Sequence, residues 1–164
     1  MVLTLFQGTQ SEESRLVDGG AVSGEVAVDM AVRAWLVVTS RDLSAGAIAA
    51  RLSLSPDNID SAGEPIKPGG GSRIESVWKR ELSPLDSRHF GTEGLSAAIE
   101  ALGIELAGEF RSLRDSGATC LLDIVQEVVG EFDSASTGFR LDASAVRWLD
   151  AGGFSVSIDQ YFYE

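Results

Sequence analysis

The chain has 164 residues, 44% of them hydrophobic and 23% charged, a length and balance that suit one packed core and exclude wholesale disorder. Its 25 carboxylates against 13 Lys and Arg give a net charge of −12, which opposes direct binding to nucleic acid and anionic membranes and favours cationic partners. One histidine and one cysteine leave little material for catalysis or metal binding.

Residues 1–25 read as an N-terminal extension or loose hairpin. Val2 to Phe6 suits a short strand, and the segment that follows is rich in Gly, Ser and Glu. No basic residue precedes the apolar run, so no signal peptide is expected. No stretch approaches the ~18 apolar residues of a membrane span. A lone cysteine cannot close an internal disulfide, which fits a cytoplasmic protein.

Residues 26–164 form the expected domain. Val26 to Ser40 is rich in Val, Ala, Leu and Trp and predicts a central strand with Trp35 in the core. Asp42-Leu43-Ser44 gives a turn and N-cap before a short helix over residues 45–52, stopped ahead of Pro56. Residues 53–73, with three prolines and Gly69-Gly70-Gly71, read as a long polar connection. Ile74 to Leu82 alternates and predicts an edge strand.

Leu95, Ile99, Leu102, Leu106, Phe110 and Leu113 draw one apolar stripe along a long helix, which Gly103 kinks or breaks. Thr119 to Val129 is a strand with Cys120, Leu122, Ile124 and Val128 on one side and Leu121, Asp123, Val125 and Glu127 on the other. Asp142 caps a helix through Leu141, Ala145, Trp148 and Leu149 that stops at Gly152-Gly153. Phe154 to Tyr163 closes the chain as a strand with Asp159, Tyr161 and Tyr163 facing outward. The expected fold is α+β: a single, mostly antiparallel or mixed four-stranded sheet covered by helices, in the order β-α-β-α-β-α-β.

A strand followed by Asp42-Leu43-Ser44, a helix ending in Arg51-Leu52-Ser53-Leu54-Ser55-Pro56, the pair Gly63-Glu64, Trp78 and the closing Asp159-Gln160-Tyr161 make a recognisable series. It resembles the bacterial family known as domain of unknown function 4279 over residues 28–163. Ser53 stands where that family usually has glycine. The resemblance implies an immunity-type or inhibitory binding role rather than a reaction, and supplies no active site. Gly63, Trp78, Asp159 and Tyr161 are the matching positions to follow.

Most chemical readings give way to plainer ones. Cys120 lies among leucines and suits a core thiol. His89 has no neighbouring nucleophile motif to serve. Asp57 to Gly63 lacks the acids and closing glutamate of a calcium loop. The glycine run at residues 69–71 leads into a strand rather than a helix N-terminus, as a phosphate loop would require. No catalytic residue, metal site or cofactor is expected.

Charge is the stronger signal. Residues 115–164 hold nine carboxylates against Arg140 and Arg147, a net −7, leaving −5 on residues 1–114. If the fold gathers those carboxylates, Glu127, Glu131, Asp133, Asp159, Tyr161 and Tyr163 form a partner-binding face. The expected protein is a non-enzymatic acidic binder, an immunity-type or phage-style inhibitor of a basic toxin, nuclease or nucleic-acid-binding complex, and a monomer or homodimer. The alternative is a small-ligand sensor or enzyme with an anion pocket near residues 63–89, built on Arg73, Arg80 and His89.

Overall fold

The computed structural model describes residues 3–9, 29–66, 70–82, 92–129 and 140–163. Among them are six strands: β1 (Leu3–Thr9), β2 (Asp29–Ser40), β3 (Asn58–Asp60), β4 (Ser76–Glu81), β5 (Thr119–Val129) and β6 (Ser155–Tyr163). Four helices accompany them: α1 (Ala45–Ala49), α2 (Thr92–Glu100), α3 (Ile104–Asp115) and α4 (Ala143–Gly152). The strands make one mixed sheet in the order β1-β6-β5-β2-β4-β3. The α+β class and single mixed sheet are as expected, but the four-stranded count is corrected to six.

The four strands expected in the sheet are β2, β4, β5 and β6, and two more join it, one from the N-terminal segment and one from the long connection. Residues 3–9, where Val2 to Phe6 suits a short strand within an extension or loose hairpin, pair in parallel with β6 from Leu3↔Val156 to Thr9↔Phe162. The remainder of residues 1–25 lies outside the described residues. β3 comes from the long connection and pairs antiparallel with β4 through Ile59↔Trp78. A three-residue strand is too short to show a periodic signal, so only its partner reveals it.

The expected edge position of residues 74–82 is also corrected, because β4 runs between β2 and β3. Asp57 continues the seal beyond β3. Its amide donates to the Lys79 carbonyl at 2.9 Å, and its carboxylate accepts from the Glu81 amide at 2.7 Å and from Arg80 at 2.8 Å. Backbone groups that an open edge would offer to another strand are thereby satisfied.

Alternation divides the sheet into two unlike faces. Val32, Ala34, Leu36 and Val38 of β2, Trp78 of β4, Cys120, Leu122 and Ile124 of β5, and Val156 and Ile158 of β6 join residues of all four helices in one buried cluster. Phe110 on α3 lies at its centre, with Trp78, Trp148 and Phe154 edge-on at centroid distances of 5.8, 6.1 and 4.9 Å. Such offset ring pairs each contribute about 0.5–1.5 kcal/mol beyond burial. Trp78 and Trp148 are thus both core residues. Trp35 is not: it shares the opposite face with Arg33 and Val37 and is half-buried, which corrects its core assignment.

Local chemistry sets the helix ends. Ser44 Oγ accepts from the Ala47 amide at 3.2 Å and starts α1, while buried Ser40 Oγ accepts from the amides of Asp42 and Leu43 in the turn before it. The apolar stripe from Leu95 to Leu113 is cut at Gly103, whose φ of 78° ends α2 and begins α3 as expected. Asp142 stands at the N-cap of α4, yet its carboxylate bonds no helix amide; its own amide donates to Ser96 Oγ at 3.0 Å instead. Gly153, left-handed at φ 73°, turns the chain out of α4 into β6. A connection through α4 is what allows β5 and β6 to lie parallel, since parallel neighbours need a crossover.

Candidate functional site

Every described helix packs on one side of the sheet, so the other side presents its side chains without a covering element among the described residues. Strand register lays that open face out in rows. Lys79 of β4, Val37 of β2, Leu121 of β5 and Ser155 of β6 make one row. Glu81, Trp35, Asp123 and Ser157 make the next. Arg33, Val125 and Asp159 follow, then Ala31, Glu127 and Tyr161, and last Val129 beside Tyr163.

Trp35 stands at the middle of this face with cations beside it. The Lys79 ammonium lies 4.1 Å from its ring centroid and the Arg33 guanidinium carbon 5.8 Å. Arg33 also reaches across to Glu127 at 3.1 Å. Its side chain is 55% exposed, so that pair contributes at most about 1 kcal/mol. Asp123 is the cross-strand partner of Trp35. Burial raises its carboxyl above the ordinary aspartate range, nearby Lys79 opposes that rise, and Asp159 adds to it.

The outer end of the face is more open. Tyr161, Tyr163 and Val129 are 41%, 45% and 47% exposed, with Glu127 opposite Tyr161 across the β5–β6 pair. Apolar rings beside carboxylates on a rigid sheet bury area with little loss of side-chain freedom, which suits protein recognition more than chemistry.

Of the expected site residues, Glu127, Asp159, Tyr161 and Tyr163 come together here on neighbouring strands. Glu131 and Asp133 lie outside the described residues, as does His89. The acidic residues of the C-terminal third are not gathered on one side. Asp123, Glu127 and Asp159 belong to the open face, whereas Asp115, Asp142 and Asp150 belong to the helical layer. Counted over its described strand side chains, the open face has five carboxylates (Asp60, Glu81, Asp123, Glu127 and Asp159) and two cations (Arg33 and Lys79).

Sequence reasoning placed Asp123 correctly but missed the surroundings that Trp35 and Lys79 make for it. The alternation of Arg33, Trp35 and Val37 was the available signal, masked by the apolar run around it. Lys79 could be placed only once the β2–β4 register was known.

The anion-pocket residues are differently engaged. Arg73 pairs with Asp60 at 3.1 Å, and Arg80 pairs with Asp57 at 2.8 Å. These carboxylates compete with any external anion. Gly63, at φ 88°, forms a turn whose amide donates to the Arg73 carbonyl at 2.9 Å. Cys120 is buried, its thiol pushed up to about 11 by desolvation, and its Sγ lies 3.7 Å from the Phe110 carbonyl. At neutral pH it is a protonated core side chain. Among the described residues no helix is long and apolar enough to cross a membrane, and no group of three or more His, Cys, Asp and Glu could hold a metal ion.

This architecture defines an α+β protein that uses one face of its sheet as a core and leaves the other uncovered among the described residues. The chain belongs to the family described as Domain of unknown function (DUF4279), whose model matches residues 30–163. Gly63, Trp78, Asp159 and Tyr161, the positions marked by the sequence resemblance, all fall within that match and divide between the turn, the core and the open face. No curated protein and no solved structure matches the chain.

Proposed function

We propose that this protein is a non-enzymatic binder of the immunity or inhibitor kind, which docks a basic protein partner on its open sheet face in the cytoplasm. The observation that carries the reading is the union of Trp35, Tyr161 and Tyr163 with Glu81, Asp123, Glu127 and Asp159 on the face opposite the core. A net charge of −12 attracts a cationic surface at long range, and the aromatic residues then supply the contact area that slows dissociation. A toxin, a nuclease or a nucleic-acid-binding complex has the required positive surface. The carboxylates of the helical layer contribute to the long-range field without contacting the partner.

The test is a comparison of baits. Wild type and an Asp159→Lys, Tyr161→Ala double variant are immobilised and challenged with host lysate at about 0.05 M salt, where the Debye length exceeds 10 Å. Basic proteins retained by wild type, absent from the variant and released at about 0.5 M salt support the reading. Equal retention by both baits, or retention unaffected by salt, removes the open face from it.

A further inference from the structure

The centre of the open face has a more specific property, which rests on the function just proposed. We propose that Trp35, with Asp123 and Asp159 beside it, is a socket for an arginine side chain of the basic partner, and that Lys79 occupies this socket in the free protein.

The ring already holds a cation. Lys79 Nζ lies 4.1 Å from the Trp35 centroid, within the distance at which an indole face attracts positive charge. Lys79 takes part in none of the ion pairs among the described residues, so its seat on the ring is its principal attachment. A half-buried contact of this type changes an equilibrium by about three- to tenfold, little enough for another cation to displace Lys79.

The surroundings favour a guanidinium as the replacement. Asp123 faces Trp35 across the β2–β5 pair, and Asp159 lies one row on and one strand over. Their negative charges oppose each other; at Asp123 Lys79 outweighs that repulsion but not the effect of burial, so the site still favours added positive charge. A guanidinium is planar and weakly hydrated, so it can lie on the indole while its N–H groups point at carboxylates. An ammonium must choose between the ring and the acids because its charge is compact. Five carboxylates against two cations on the described strands of this face complete the complementarity to an arginine-bearing segment.

The experiment uses the full chain and fluorescein-labelled peptides of nine arginines or nine lysines, followed by anisotropy at about 0.05 M salt. Wild type binds the arginine peptide more tightly than the lysine peptide. Lys79→Gln tightens arginine binding by about three- to tenfold, because the resident cation no longer competes. Arg147→Gln, which changes the charge equally on α4, alters it by less than about twofold. Trp35→Ala weakens arginine binding by about fivefold or more and removes the preference over lysine.

Equal effects of Lys79→Gln and Arg147→Gln, or an arginine preference that survives Trp35→Ala, overturn the socket. Should Trp35→Ala fail to fold by circular dichroism, the two charge-matched variants decide alone. A Glu127→Gln, Asp159→Asn variant separates the two levels of the proposal. If it weakens binding while Lys79→Gln and Trp35→Ala do nothing, the face stands and the socket falls; if none of the three matters, both fall.

Discussion

The indole N–H of Trp148 donates to the backbone carbonyl of Gly103 at 2.7 Å, tying α4 to the break between α2 and α3. Gly103 itself sits at φ 78° and ψ 154°, a region that residues with a Cβ avoid. Helix propensity alone would make Gly103→Ala favourable. The observed backbone reverses that sign, and the variant should lose about 1–3 kcal/mol. Urea denaturation checks this through a lower midpoint at unchanged slope; a higher midpoint would mean that the chain can join α2 and α3 into one helix. Trp148→Phe keeps a ring against Phe110 but leaves the carbonyl without its donor, and should cost about 1–3 kcal/mol.

Asp57 protects the β3 side of the sheet. Replacing it with alanine frees the Glu81 amide and Arg80 and should cost about 1–2 kcal/mol. The larger consequence is association, because an exposed strand edge templates pairing with another chain. Light scattering at two protein concentrations should show more concentration-dependent growth in Asp57→Ala than in wild type. Identical behaviour would show that β3 alone closes the edge.

Cys120 should be inert in the folded protein. With a thiol pKa of about 11, roughly one molecule in a thousand carries the thiolate at pH 8, and burial blocks access as well. Ellman's reagent should therefore label it slowly in buffer and promptly in denaturant. Fast stoichiometric labelling of native protein would contradict its placement in the core.

The Asp123 carboxyl, raised by burial, gives a pH effect of definite sign. Lys79 on β4 and Asp159 on β6 act on it, with Asp60, Glu81, Arg33 and Glu127 as the other charged groups on the described strands of this face. A raised folded-state value means that protonated Asp123 is the better-tolerated form. Its favourable contribution is present below the unfolded value near 3.8 and is lost as pH rises through the folded value. Asp123→Asn should thus melt above wild type at pH 7, with the difference narrowing toward pH 4. Calorimetry at both pH values checks it, and a variant less stable than wild type at pH 7 would reverse the assignment.

Legibility in the sequence followed the length and regularity of each pattern. Thr119 to Val129 alternates over eleven residues, and its buried set is the one expected, with Gln126 added. The stripe from Leu95 to Leu113 was equally clear, including its break. β3 was not, because three residues carry no period, and for β1 the apolar run from Val2 to Phe6 suggested a strand but not its parallel pairing with β6. Trp35 was misplaced for a related reason. In an apolar run such as residues 26–40, parity decides which residues are inward, and parity needs an anchor that only the packed sheet provides.

The sequence by itself determined the acidic balance, the α+β class, the helix stripe, the outward set of β5 and β6, and the family to which the chain belongs. These depend on composition and on periodicities within one element, which local geometry dictates. Tertiary structure decided the strand order, the closed edge at Asp57, the division of the carboxylates between two layers, and the meeting of Trp35, Lys79 and Asp123. Those are contacts between residues far apart in the chain, set by strand register and by which face the helices cover, and no local pattern encodes either.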